Sequence, residues 1–288
     1  MQLTREKLWH LAVIYEYLSP KEQINLYQGV CRYFNPSEIF YVIDIREWCS
    51  KNFYDWLLDV DYYEELAPYY EEKITIITID DERYPERLRQ IYQPPLALFC
   101  RGNLALLKTL SIGMVGSRWH SDYGEFCLKK LMYELKGSKV TIISGLAKGI
   151  DGISHKYALK YGLQTIAVIG TGLNVYYPKE NACLQRSIEQ KGLVISEYPL
   201  NSRPLKFHFP YRNRIIAGLS HGVCVVEARM RSGSLITANL ALQENRQVFA
   251  IPGNITNIYS EGTNQLIQAG ALCTTKAQDI LEDIIYFS

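Results

Sequence analysis

Six short turns in the second half of this 288-residue chain hold the residues most able to do chemistry. They are Gly116–Ser117–Arg118, the run Ser144–Gly145–Leu146–Ala147–Lys148–Gly149–Ile150–Asp151, and Gly170–Thr171–Gly172. Glu197–Tyr198–Pro199, Glu227–Ala228 leading to Ser232–Gly233–Ser234, and Pro252–Gly253–Asn254 complete the set. Each follows an apolar run, and several open a helix. Glycine lets backbone N–H groups approach an anion, serine adds a hydroxyl, and a helix N-terminus adds its dipole. A single glycine after a strand often does no more than turn the chain, so the argument rests on six such turns together. They predict a phosphate-lined surface, with Gly116, Ser117, Ser144, Gly145 and Lys148 as candidate contacts. Lys148 is divided between phosphate and solvent. No GxGxxG follows the first core strand, where GSRWHS offers one glycine before a bulky Arg–Trp, and no GxxxxGK[ST] is present.

The stretch from Pro204 to Arg214 adds a different chemistry. Lys206, Arg212 and Arg214 fall within nine residues, interleaved with Phe207, Phe209 and Tyr211. Cations for phosphates and aromatic faces for unpaired bases are what a binder of single strands needs. Lys206 and Phe209 share a face if the segment turns, so Phe209 is expected beside the ligand and Phe207 against the core. Arg212 and Asn213 rank second, because an arginine opening a helix can pair instead with Glu197 or Glu227.

General acid–base chemistry needs a positioned carboxylate or histidine. The available groups are Asp151, Glu197, Glu227 and His155. Asp151 reads as a helix cap and His155, one turn further on, as a packing residue. There is no HExxH and no paired-carboxylate metal spacing. The seven cysteines form an odd set without a CxxC pair, which predicts reduced, mostly buried thiols and no thiolate metal site. No catalytic residue, metal or cofactor is expected.

The elements that must position these turns follow from periodicity. Val/Ile-rich runs at 111–115, 140–144, 165–170, 193–196, 222–227 and 247–252 are continuous, not alternating, as in strands buried on both faces of a parallel sheet. Helical stretches lie between them, so residues 108–288 are expected to form an α/β, Rossmann-like, doubly wound, mostly parallel sheet. Ligands of such a sheet bind outside the carboxyl ends of its strands, where the six turns lie. Residues 74–107 are read as a strand, ITIITI, and a proline-punctuated connector. Residues 1–73 are read as a small, aromatic-rich, all-helical domain broken at Ser19–Pro20 and Asn35–Pro36.

The net charge of +1 conceals a division: residues 1–107 carry −6 and residues 108–288 carry +7. The basic part is expected to face a polyanion. No secretory leader pattern and no run of about 18 apolar residues is present, so the chain reads as cytoplasmic, with no membrane partner.

The motifs GSR, SGLAKGID…H, IGTGLNVYYP, SEYP, KFHFPYRNRIIAGLS, VVEA…SGSLITA and AIPG occur in the order and spacing of the DprA/Smf family. The resemblance spans roughly residues 74–284, including the lead-in YPERL…PP…LFCRGN. It implies a binder of incoming single-stranded DNA, not an enzyme, that protects the strand and loads the RecA recombinase during natural transformation. It implies Arg118 and Lys206 on phosphates and Phe209 against a base or sugar. It also implies a homodimer, for which Leu266, Ile267 and Leu272 near a sheet edge are the candidates. The chain stops soon after Asp283, so the winged-helix module that some relatives append is expected to be missing. The alternative is a Rossmann enzyme similar to nucleoside-monophosphate phosphoribohydrolases. In that reading residues 231–239 would be the phosphate loop, without the acidic residue such chemistry needs.

Overall fold

A computed structural model describes residues 1–286. Its N-terminal part contains α1 (Arg5–Ile14), α2 (Pro20–Tyr33), α3 (Lys51–Asp59) and α4 (Tyr62–Glu71). A two-residue antiparallel ladder joins β1 (Gln2–Leu3) to β2 (Phe40–Tyr41), a detail too short to show in the sequence pattern. Helix starts follow local chemistry. Ser19 forms a capping box with Glu22 and sets Pro20 in the first turn, where its missing N–H is not needed. Asp61 accepts from the backbone N–H groups of Tyr63 and Glu64 at the head of α4.

These helices do not close a core by themselves. Trp9 is wholly buried, and its indole N–H donates to Asp80 Oδ2 at 2.6 Å while Arg5 pairs with Asp80 Oδ1. Tyr69 of α4 stacks on Phe99 with ring centroids 5.2 Å apart. One apolar cluster therefore runs from Leu8 and Phe53 into the sheet.

The sheet has nine strands: β3 (Thr75–Thr78), β4 (Ala97–Gly102), β5 (Ser111–Val115), β6 (Thr141–Ser144), β7 (Gln164–Ile169), β8 (Leu193–Ser196), β9 (Gly222–Val225), β10 (Gln247–Ala250) and β11 (Leu272–Cys273). Their order is β11-β10-β9-β5-β6-β7-β8-β4-β3. Pairing is parallel from β11 to β8, and β4 is antiparallel to both β8 and β3. The mostly parallel Rossmann-like sheet is thus present. Residues 97–102, read in the sequence as connector, form β4, with Ala97, Leu98, Phe99 and Cys100 all buried. Pro94 and Pro95 masked it: they punctuate the sequence directly before an edge-side strand that needs no preceding helix.

Helices α5 (Glu86–Arg89), α6 (Asp122–Glu134), α7 (Ile150–Tyr161), α8 (Ala182–Lys191), α9 (His208–Leu219), α10 (Gly233–Gln243), α11 (Glu261–Gln268) and α12 (Ala277–Tyr286) connect and cover the strands. Side chains alternate across each strand. Val223, Val225, Val248 and Ala250 face Ile215, Ile216, Ala238 and Ala241 of α9 and α10. Ile112, Met114, Cys224 and Phe249 face Leu128 and Leu131 of α6 and Ile280 and Ile284 of α12. The chain runs outward from β5 through β6, β7 and β8, then returns so that β9 lies on the other side of β5. The turns after β5 and β9 therefore diverge, and a crevice opens between them.

The thiols are less buried than expected. Cys100 and Cys224 lie in the core, but Cys183 and Cys273 are exposed, and all seven are free.

Candidate nucleic-acid interface

A cleft of about 450 Å³ occupies that switch point. Its lining comes from the turn after β5 (Gly116, Ser117, Arg118), from α9 (Phe209, Arg212, Asn213) and from the segment after β9 (Arg229, Ser232, Gly233, Ser234). Six turns converge in the sequence, but only some present side chains to this space.

Arg118 is exposed at the rim, and its guanidinium makes no hydrogen bond or ion pair among the described residues. Ser232 caps α10 without donating or accepting a side-chain capping bond, its hydroxyl lying 2.8 Å from that of Ser234. The first N–H groups of an 11-residue helix thus open onto the same cleft as Arg118. Asn213 lines the cleft and its amide donates to the Gly233 carbonyl at 3.4 Å. Arg229, absent from the sequence candidates, also lines it, with its guanidinium on Tyr259.

Phe209 is half-buried at the cleft wall. It packs over Gly170, where a Cβ would approach its ring to 3.1 Å, and it meets Tyr177 at 5.4 Å between centroids. Tyr177 is 45% exposed, so the pair forms an aromatic surface partly open to solvent. Tyr177 belongs to the motif IGTGLNVYYP, and nothing in the local pattern sets it apart from its neighbours. The expectation for Phe207 is corrected. Phe207 is 65% exposed and touches only the edge of His208 among aromatic rings, whereas His208 is the side chain that turns inward. There His208 Nδ1 donates to the Gly170 carbonyl at 3.1 Å and the ring stacks on Tyr198 at 3.7 Å. Lys206 is exposed and unpaired, but it stands on the loop before α9 and outside the cleft lining.

Six expected contacts are spent on the protein itself. Ser144 is fully buried and its hydroxyl donates to the Met114 carbonyl at 2.6 Å. Gly145 lies beneath the cleft, where a Cβ would fall 2.1 Å from Arg212 Nη1. Arg212 is itself buried, donating to the Val168 carbonyl, and is paired with neither Glu197 nor Glu227. The Ser117 hydroxyl turns back onto its own loop, bonding the Trp119 carbonyl at 2.5 Å, and its N–H donates to the Glu227 carbonyl. Lys148 pairs with Glu180 on the surface. Gly116 serves the close approach of α7, since a Cβ there would meet Ile150 at 2.6 Å.

The groups weighed for acid–base work have structural partners too. Glu197 pairs with Arg214 at 2.5 Å. Glu227 is buried and accepts from Ser121 N–H at 2.9 Å and from the Ser121 hydroxyl, fixing the start of α6. His155 is fully buried with Nδ1 2.7 Å from Thr165 Oγ1, and burial together with the Arg212 charge drops its pKa to about 3. Asp151 sits in the first turn of α7, whose cap position is Gly149. Burial raises its pKa, opposed by the Arg212 charge and by backbone N–H groups of Ala147 and Gly145. Among the described residues no cluster of three or more His, Cys, Asp or Glu side chains is arranged to hold a metal ion. Among the described residues, no helix is long and apolar enough to cross a membrane.

Of the three residues expected at a subunit contact, Leu266 is buried within the chain, packing α11 inward. Ile267 and Leu272 are half-buried, and Leu272 lies on β11, an outer strand of the sheet.

The family model for DNA recombination-mediator protein A matches residues 75–285. DNA processing protein DprA of Streptococcus pneumoniae is 51% identical over 212 residues, covering 74% of this chain and 75% of that protein. Protein Smf of Escherichia coli is 49% identical over 73% of this chain, a stretch equal to 56% of the longer Smf protein. The X-ray structure of S. pneumoniae DprA superposes with a TM-score of 0.88 at 41% identity over 98% of this chain and 99% of that one, so the likeness includes the N-terminal helices. A Helicobacter pylori DNA processing protein A, solved for its single-stranded DNA binding mode, gives 0.66 at 30% identity over 74% of this chain and 97% of its own. The chain belongs to the DNA recombination-mediator protein A family, the DprA/Smf proteins.

Proposed function

We propose that this protein binds single-stranded DNA across the switch-point crevice and acts as a recombination mediator that hands the strand to a RecA-type recombinase. The observation that carries the reading is one arrangement. An unpaired Arg118, the open N-terminus of α10 and Phe209, with Tyr177 packed beside its ring, meet at a single cleft. Arg118 and the α10 N–H groups take backbone phosphates, and Phe209 with Tyr177 takes a base by stacking, which tolerates any sequence. Lys206, on the loop beyond the cleft, holds the phosphate of a flanking nucleotide, and exposed Phe207 offers a second face. The groups that a hydrolase would need are engaged in internal contacts, which favours binding over turnover.

Protection of incoming DNA, delivery to RecA during natural transformation, and a cytoplasmic location are carried by family membership and belong to the same proposal. So does a homodimer through the β11 edge, where Leu272 and Ile267 remain partly open while Leu266 does not. Competition between short oligo-dT and its duplex tests the reading. Oligo-dT is expected to displace labelled single strand at concentrations where duplex does not. Equal or stronger competition by duplex overturns it.

A further inference from the structure

The opposite edge of the sheet carries a second cleft, of about 500 Å³, lined from the residues that enter β5, β9 and β10 and from α5. Five cations and two carboxylates face it. Arg83 is committed to Asp81 and Arg89 to Glu86. Arg87, Lys108 and Arg246 remain without an ion pair, and Glu82 is the one lining carboxylate without one, so the lining itself carries a surplus of two positive charges. Like charges gathered in one half-buried space repel, and a fold tolerates them when a counter-ion completes the site. Arg246 shows the tension: burial lowers its pKa first and the Arg87 charge lowers it further, with Glu244 offsetting only part. Its Nη2 donates to the Arg87 carbonyl at 3.0 Å, and its Nε is buried without a partner. Between the arginines and β5, His221 Nδ1 accepts from Ser111 N–H at 3.1 Å, so the ring proton sits on Nε2 as a further donor lining the cleft.

We propose that this amino-edge cleft is an oxyanion site for a phosphate dianion, supplied by the terminal phosphate of a nucleic-acid strand. The surplus of two charges balances a phosphate monoester, where an internal phosphodiester or a carboxylate would leave one charge over. Guanidinium groups match phosphate oxygens two at a time, which a lone ammonium does not. Arg87 and Arg246 are the principal ligands, with Lys108 at the mouth and His221 Nε2 as the neutral donor. The site does not depend on the crevice at the carboxyl ends of the strands, from which the length of the strands separates it.

Inorganic phosphate is the probe, and the readout is the His221 imidazole in long-range ¹H–¹⁵N spectra of the full chain, assigned by its loss in His221→Asn. Phosphate is expected to shift the His221 signals saturably in the natural chain and equally in Arg118→Ala. Affinity falls roughly tenfold or more when Arg87 and Arg246 are both changed to glutamine, the loss of charge-assisted contacts. The exposed Lys108→Ala, which removes no internal contact, weakens it several-fold and keeps the test alive if the double variant does not fold. No saturable shift, or one of unchanged affinity in these variants, overturns the site. A trinucleotide with a 5′- or 3′-phosphate, compared with its fully dephosphorylated twin, identifies the source. A shift with a phosphorylated form only supports a strand end. A shift with inorganic phosphate but neither trinucleotide form keeps the oxyanion site and rejects the strand.

Discussion

The rim and the floor of the switch-point crevice are built from the same kinds of residue and do opposite things. At the rim, Arg118 is exposed and unpaired. On the floor, Arg212 is buried, donates to the Val168 carbonyl and faces Asp151. Ser232 leaves the N–H groups of α10 open, while the Ser144 hydroxyl is consumed by the Met114 carbonyl. The floor sets where the turns stand, and the rim leaves Arg118 and the head of α10 open. Residue type therefore does not separate binding from building. What separates them is whether a polar group already has its partners inside the protein.

That contrast makes predictions that pull stability and affinity apart. The largest effect is expected on the floor. Arg212→Ala removes the donor to the Val168 carbonyl and the charge that offsets Asp151, and a buried group left without its partner costs about 1–3 kcal/mol. A thermal melt should show it, and Gly145→Ala, which drives a Cβ into the same guanidinium, should act in the same direction. A melt of Arg212→Ala that matches the natural chain would remove the distinction.

Acid should act on the buried histidine of this floor. His155 titrates at about 3 in the folded chain and near its ordinary 6.5 when unfolded. Between those values the unfolded state binds the extra proton, so this contribution is complete above pH 6.5 and is lost as pH falls toward 3. The slope amounts to about 1.4 kcal/mol per pH unit for one proton. Denaturant titrations between pH 4 and 7 should show it, and His155→Gln should flatten the profile by one proton.

Phe209→Ala comes next. It should weaken binding to oligo-dT by roughly 1–3 kcal/mol with little change in salt dependence. Loss of folding in that variant would move Phe209 from rim to floor. The smallest effect is reserved for Lys148→Ala: its ammonium pairs with an exposed Glu180, and both melting and affinity should stay as they are.

How far the sequence revealed this arrangement varies by region. The parallel core was legible because Val/Ile-rich runs buried on both faces need no alternation, as at Val223, Val225 and Val248. β4 was hidden by the prolines before it. Within the site, Arg118 was named from resemblance to the family and Phe209 from spacing as well, and both line the cleft. The failures at Ser144, Gly145 and Arg212 have one cause: their partners, Met114 and Val168, come from neighbouring strands, and no local pattern reports that a hydroxyl or guanidinium is already satisfied. His208 turns inward in place of Phe207 for a related reason, since the turn entering α9 decides which of two adjacent rings points inward. Tyr177 joins Phe209 from a distant loop, a contact that appears only in three dimensions.

The central claim is that Arg118 meets a phosphate at the rim. The direct measurement is the salt dependence of oligo-dT binding by the natural chain and by Arg118→Ala. For Z phosphates engaged, log K should fall against log salt with a slope of about −0.7Z, and the variant should be weaker with a slope shallower by about 0.7. An unchanged slope and affinity in Arg118→Ala would contradict the account.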